Sequence, residues 1–390
     1  MIRTRKRSSQ KADRTTADTV KNVALILMIA LNIFDRNSDF LSNFHRQLSE
    51  ANGEVVVADQ TSASSKQQQN SIYLPSRLEN RIMERSQSEL QYDQLRADEC
   101  DLFHNKSRSD FYQEYHDYLK TLDDYTEAVK TYDVNLGDVR LVPREKRHSI
   151  CQSMDDLLKG SFQVDTVLSK TREGFVEPLL PPLRHPRFCE AVDDVYKSKY
   201  VMKLDYLIHD FGAMCRQLST SSKTVFIDLG ASLDIHPEEN PSLQLLELYQ
   251  KFGIKFDHYY AFEATVIPPD QVYQKVPKKI LPSFHWFNVP VEVNETSNQN
   301  PWNAVLSQYT EDDLVVVKLD IDTASVEIPL VDQLVEEKNV RIVDQFYFEH
   351  HVRMKHMLKF WRITARGTLQ HSLDLFTKLR KAGIAAHSWV

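Results

Sequence analysis

The sequence predicts an α/β protein whose C-terminal part, residues 199–390, forms a doubly wound and mostly parallel sheet. Three observations lead there. From Thr224 onward, short runs of β-branched and aromatic residues alternate with helix-length segments. Each run stops on polar residues. The stretch ahead of residue 199 lacks that alternation and reads as mainly helical.

The strand-like runs come in order. TVFIDL starts at Thr224, closes on Asp228, Leu229 and Gly230, and precedes the helical PSLQLLELYQKFG. FDHYYAFEA follows, then a short helix around Gln271, SFHWFNVPVEV and DDLVVVKLDID. The series ends with the helix SVEIPLVDQLVEEK, the strand VRIVDQFYFEHH, the helix SLDLFTKLRKAG and the strand IAAHSWV. Helices of ten or more residues between short apolar strands are the connections that a parallel sheet needs. The whole is a Rossmann-like arrangement of six strands.

Upstream the reading changes. Residues 1–22 form a basic tail, with Arg3, Arg5, Lys6, Arg7 and Lys11, expected to be cytoplasmic. The apolar VALILMIALNIF follows, and residues 23–35 read as an uncleaved signal-anchor, because no small-x-small cleavage site follows Phe34. Twelve helical residues rise only about 18 Å, so the span must borrow residues back toward Thr15. A cleaved signal or transit peptide, or a short buried helix, are the competing readings. The positive end inside places the rest in the lumen of the secretory pathway, Golgi or endoplasmic reticulum. Residues 36–77, rich in Ser, Gln and Asn, cannot offset their ordering entropy by burial and read as a flexible stem. Residues 78–198 read as helices with core tyrosines (Tyr115, Tyr118, Tyr125), closing in the Pro-rich GFVEPLLPPLRHPRFCE. A further amphipathic helix is expected over residues 191–218.

Composition bounds the function. With 390 residues, 42% hydrophobic and 26% charged, the chain can bury a substantial core. The formal charge of -7 offers no global basic field, which argues against nucleic acid as a partner. Cys100, Cys151, Cys189 and Cys215 have no CxxC spacing and fit either two disulfides or four buried thiols. Asn105-Lys106-Ser107 and Asn294-Glu295-Thr296 are glycosylation triplets, which suits a lumenal body.

In open α/β sheets ligands collect at the carboxyl ends of the strands. Those ends carry Asp228 with Gly230, then Glu263, then Lys318, Asp320 and Asp322, then Glu349, His350 and His351. A glycine after the first strand admits close backbone approach, and an acid ending the second can accept a ribose diol.

The runs VFIDLGAS, YYAFEA, VVVKLDIDTASVE and FYFEHH resemble the successive motifs of FkbM-type methyltransferases, over roughly residues 200–390. The resemblance implies a methyltransferase-like Rossmann domain that uses S-adenosyl-L-methionine. It implies that Asp228, Gly230 and the adjoining Ala231 meet the cofactor and that Glu263 binds its ribose. It also aligns Lys318, Asp320 and Asp322 with the strand-four motif, and Glu349 with His350 or His351 with the acid and histidine after strand five. The chain departs from the pattern where Ala231, Ser232, Leu233 and Asp234 replace a second glycine or asparagine. It departs again where Thr323 replaces a glycine, and where it ends before a last antiparallel strand.

Methyl transfer to a hydroxyl needs alignment and a base. Asp320, His350 and His351 are the candidate bases, with Lys318 paired to Asp320 either as a catalytic or as a structural partner. Asp320, Asp322 and Glu349 with a histidine make an oxygen-and-nitrogen set for a divalent metal. Three readings remain: a membrane-anchored methyltransferase acting on a glycan or small hydroxyl or carboxylate acceptor, a catalytically silent binding module, and a transferase with another nucleotide-like donor.

Overall fold

The computed structural model describes residues 72–89, 98–107, 110–132, 137–162, 167–169, 173–180, 183–190, 200, 202–232 and 240–389. The basic tail, the signal-anchor and the stem as far as residue 71 lie outside the described residues. Among the described residues no helix is long and apolar enough to cross a membrane.

The first elements make a small antiparallel sheet, β1 (Ile72–Leu74), β2 (Val167–Ser169) and β3 (Glu173–Phe175). No alternation in the sequence announced it, and it takes up residues assigned to the end of the stem. Between β1 and β2 lie the helices α1 (Arg77–Glu89), α2 (Glu99–His104), α3 (Tyr112–Thr131) and α4 (Arg144–Ser161). Helix α5 (Phe211–Gln217) follows β3. Of the helix expected over 191–218, the described residues form only α5, and residues 202–210 are turns and irregular chain. There Leu204, Tyr206, Leu207 and Ile208 are buried while Lys203 and Asp205 are exposed, so the apolar spacing reflects side chains turned into the core from turns and not a helical face. Ile208 N–H donates to Glu177 Oε2 (3.1 Å), and Asp210 caps α5 by accepting from Ala213 N–H (2.8 Å).

The second sheet has six parallel strands, β4 (Thr224–Leu229), β5 (His258–Phe262), β6 (Phe284–Phe287), β7 (Leu314–Leu319), β8 (Val343–Phe348) and β9 (Ala385–Ser388), in the order β6-β5-β4-β7-β8-β9. The intervening helices are α6 (Pro241–Lys251), α7 (Pro269–Lys275), α8 (Pro301–Ala304), α9 (Ala324–Leu334), α10 (Glu337–Val340), α11 (Leu358–Trp361) and α12 (Leu369–Lys381). This is an α/β Rossmann-like fold. β4 and β7, at the centre, are buried at every residue, as strands covered on both faces must be.

Strand alternation sorts the core into two layers. Val225, Ile227, Val315, Val317 and Phe346 face a layer that holds Trp302, Leu330, Leu373 and Phe376. Phe226, Val316 and Tyr347 face the other, built with Leu122 and Tyr125 of α3, Met154 of α4, Phe211 of α5 and Tyr249 of α6. The helical region thus enters both layers, α1 and α2 through Leu78, Ile82 and Phe103 in the first and α3 to α5 in the second, and is part of the same body. Disulfides Cys100–Cys189 and Cys151–Cys215 use all four cysteines. The first ties α2 to the Pro-rich segment, the second ties α4 to α5.

A buried ionic knot joins the two sheets. Arg380 of α12, with no exposed surface, donates to Ala386 O (2.8 Å), Glu177 O (2.8 Å) and Tyr73 Oη (3.2 Å), and pairs with Glu177 (3.4 Å) and Glu79 (3.6 Å). His387 sits between Glu177 (2.9 Å) and Gln345 (2.9 Å). Removing the guanidinium strands two buried carboxylates. Arg380→Met is expected to cost about 3–5 kcal/mol of unfolding free energy in a urea titration; a loss below about 1 kcal/mol would show that the knot adds no stability.

Candidate functional site

The tips of β4 and β7 are tied by one ammonium. Lys318, nearly inaccessible, places Nζ 3.1 Å from Asp228, 3.3 Å from Asp320 and 2.8 Å from the carbonyl of Gly230. Burial opposes its charge, yet Asp228 and Asp320 outweigh that and hold Nζ above the ordinary lysine range. Asp228 is itself buried and accepts from Tyr259 Oη at 2.8 Å. Its other oxygen, Oδ1, makes the ion pair with Lys318 and no hydrogen bond.

Gly230 adopts φ 86°, and a Cβ built there would lie 1.7 Å from the carbonyl oxygen of Asp320. The missing side chain therefore lets the protein's own backbone close the gap between β4 and β7. Gly230 and Ala231 both donate N–H to Phe262 O (3.0 and 2.9 Å), which anchors the turn to β5. Ala231 is packed in the helical-side core. Glu263 lies next along the tips: Oε1 accepts from Thr265 N–H (2.6 Å), and the side chain is only partly buried.

The strongest concentration of chemistry stands past the tips of β7 and β8. Asp320, Asp322, Glu349 and His351 each bring one ligand-type atom within 4.8 Å of all the others. β7 delivers Asp320 and β8 delivers Glu349, whose N–H continues the ladder to Leu319 O (3.2 Å). Asp322 reaches the group by adopting φ 56°, a left-handed conformation that aspartate tolerates better than most residues. His351 Nε2 is 2.7 Å from Glu349 Oε2 and 3.5 Å from Asp322 Oδ1.

The electrostatics follow from crowding. Burial pushes the Asp320 carboxyl up to about 7, against the pull of Lys318, and the neighbouring Glu349 and Asp322 push the same way. Burial would raise Glu349 too, but His351 and Arg184 hold it below the usual carboxylate range. Burial opposes the His351 charge, and Glu349 overcomes it, so the imidazole stays protonated to higher pH than usual.

The two adjacent histidines diverge. His350 turns the other way, with Nδ1 2.9 Å from Ser372 Oγ and its ring stacked on Phe348. Burial, with His371 and His351 nearby, pushes it down to about 3, so it is neutral. It is not brought together with the other candidates.

Four residues of this site carried no assigned role in the sequence. Arg184 donates to Glu349 Oε1 at 2.6 Å from within the Pro-rich segment, 165 residues away, beside Leu183 at φ 61°. Trp361 stacks on the His351 ring and donates to Glu349 (3.3 Å). Thr364 meets His351 Nδ1 at 2.7 Å. Glu327, buried in α9, accepts from Ile321 N–H (3.0 Å), and burial pushes it up to about 7. Glu327 was visible, since it closes the run VVVKLDIDTASVE. The others lie too far along the chain for any local pattern to show.

A surface cavity of about 700 Å³ lies elsewhere, between α6 and the segment Pro277–Ser283, and holds none of the predicted site residues. No known protein family, no curated protein and no solved structure matches this chain.

Because Asp320 O occupies the space of a Cβ at residue 230, Gly230→Ala must force the β4 and β7 tips apart. We expect a loss of at least about 1–3 kcal/mol from backbone strain, read as a lower thermal midpoint. Melting like the native chain would mean that the carbonyl does not pack there.

Proposed function

We propose that this chain is an S-adenosyl-L-methionine-dependent methyltransferase of the FkbM-like kind, acting on a hydroxyl or carboxylate acceptor such as a glycan. The observation that carries the reading is the acid–imidazole cluster at the carboxyl ends of β7 and β8, beside the point where the strand order reverses at β4. That is where sheets of this order hold nucleotide-like ligands and where acceptor chemistry needs a base.

The fit of the cofactor is uneven along the tips. Glu263, partly exposed at the end of β5, has carboxylate capacity for a ribose diol beyond its bond to Thr265. The glycine turn offers less, because its open side is already filled by Asp320. When bound, S-adenosylmethionine would supply an electrophilic methyl group. The protein's part is to align the acceptor and take its proton. Asp320, poised near neutrality by burial, and His351 are the groups placed for that, whereas Lys318 and Asp228 serve to position Asp320. His350, neutral and turned away, drops out of the catalytic set.

The filled turn also favours a second reading, a silent Rossmann-like module whose glycine serves only the packing of β4 on β7. Calorimetric titration with S-adenosylmethionine separates the two. Under the first, binding is saturable and falls at least about tenfold in Glu263→Ala, the loss of roughly 1.4 kcal/mol that a charged hydrogen bond supplies. No heat, with the fold intact, would leave the silent module. Heat with another nucleotide instead would point to a different donor.

We also place the body in the secretory lumen, anchored by residues 23–35. The two disulfides support an oxidising compartment. Asn294 is exposed, and its side chain accepts from Thr296 N–H (3.1 Å) and Oγ1 (3.0 Å). A glycosidase-sensitive mobility shift that disappears in Asn294→Gln is the expected result. A chain carrying no glycan at all would count against lumenal placement.

A further inference from the structure

We infer that the basic segment following β8, residues 350–373, is a docking surface for an acidic glycan, a sugar chain bearing carboxylate or sulfate groups, with Arg353 and Arg366 as its anion contacts. The choice of a glycan rests on the transferase reading above. The preference for an anion rests on charge and position alone.

Charge is segregated along this part of the chain. Between Glu349 and Asp374 the sequence carries Arg353, Lys355, Lys359, Arg362 and Arg366 and no acid, although acids outnumber lysine and arginine over the whole chain, 55 to 48. Like charges gathered on one short segment repel each other, and the field they make draws anions in and speeds their association. In a body of net charge -7, that field is local to this segment and gives a direction to any anion that approaches.

The backbone fastens the segment to the candidate site. Arg366 N–H donates to the carbonyl of His351 (2.7 Å) and Arg353 N–H to that of Gly367 (3.4 Å), which lays residues 366–367 alongside 351–353. Trp361 and Thr364, from the middle of the same segment, contact the His351 ring. Arg353 and Arg366 are both exposed, and among the described residues neither side chain makes an ion pair. Lys355 differs, because Asp98 takes it at 2.6 Å. The two arginines therefore keep their donors for a partner from outside, and a guanidinium fork matches a carboxylate or similar oxyanion with two parallel hydrogen bonds.

Asp322 supplies the orientation. Its side chain is 77% exposed on the imidazole side of His351, where Glu349 also stands, whereas the main-chain side of His351 faces Arg366. These acids repel what the arginines attract. A charged sugar approaching the tips of β7 and β8 is thereby turned, with its acid over Arg353 and Arg366 and its neutral hydroxyls toward Asp320 and His351. The same pattern that selects an anionic acceptor keeps the anion itself out of the hydroxyl's place.

The test uses the full-length protein with its disulfides intact and follows the fluorescence anisotropy of labelled oligomers: polygalacturonate for carboxylate alone, chondroitin sulfate for carboxylate and sulfate, dextran as a neutral sugar, and single-stranded DNA. Saturable binding of at least one acidic sugar is expected, at least about tenfold tighter than dextran or DNA and weakened by added salt. Arg353→Glu combined with Arg366→Glu should weaken it at least about tenfold. Lys120→Glu combined with Lys146→Glu, at exposed positions of α3 and α4, removes the same net charge and should change it less than about threefold. All four changes are at the surface, and thermal melting checks the fold of each variant. Failure to bind either acidic sugar, equal losses in the two double variants, or DNA held as tightly as sugar would overturn the surface, as would binding that survives in the arginine variant and so belongs to the basic tail. None of these titrations uses S-adenosylmethionine, so a chain that ignores the donor but passes here loses the transferase reading and keeps the surface.

Discussion

One buried ammonium organises the functional end of the molecule. Lys318 is the cation shared between the last side chain of β4 that faces the helical layer and the first residue beyond β7, and it also reaches the Gly230 carbonyl. Its charge survives burial because two carboxylates and a carbonyl surround it. Replacing such a group by an apolar one of similar volume could leave stability nearly unchanged, so its value lies in what it orients. It draws Asp228 inward, aims Asp320 across the gap between the strands, and leaves the remaining acids to assemble on the far side of Asp320.

That arrangement requires the two central strands to end almost in contact. Gly230 supplies the room, since any larger residue would displace the Asp320 backbone. The consequence runs outward along the sheet. With β4 and β7 closed on one another, β8 brings Glu349 beside Asp320, and the Pro-rich segment threads under the tips to supply Arg184. Disulfide Cys100–Cys189 holds the end of that segment, just past Arg184. An element that looks like a linker in composition is therefore largely buried and part of the site's electrostatics.

The sheet was legible because its signals are local. Alternating apolar runs and helix-length gaps specify six strands, and their polar endings locate the tips, since both features lie within a few residues of each other. Asp320, Asp322, Glu349 and His351 could be named on that ground. What could not be read were partners from distant parts of the chain: Arg184 for Glu349, Thr364 for His351, and the small sheet that Tyr73 and Glu79 dock through Arg380. The helix expected over 191–218, which among the described residues forms only at Phe211–Gln217, falls short for the opposite reason. There the local pattern was real, but Leu204, Tyr206, Leu207 and Ile208 are buried in turns and the Ile208 N–H is taken by Glu177, which no periodicity records.

The pair His350 and His351 shows why position along a strand decides more than residue type. Both follow β8 directly, and both are nearly inaccessible. Because successive side chains leave a strand in opposite directions, only one can face the acids. His351 takes that side and gains Glu349, Asp322 and Thr364, each of which favours a ring with its proton on Nδ1 and positive charge near Nε2. His350 takes the other, gains Ser372 and the Phe348 ring, and loses its charge to burial. Two identical side chains one residue apart are thus pushed in opposite directions, His350 toward the neutral ring and His351 toward the charged one.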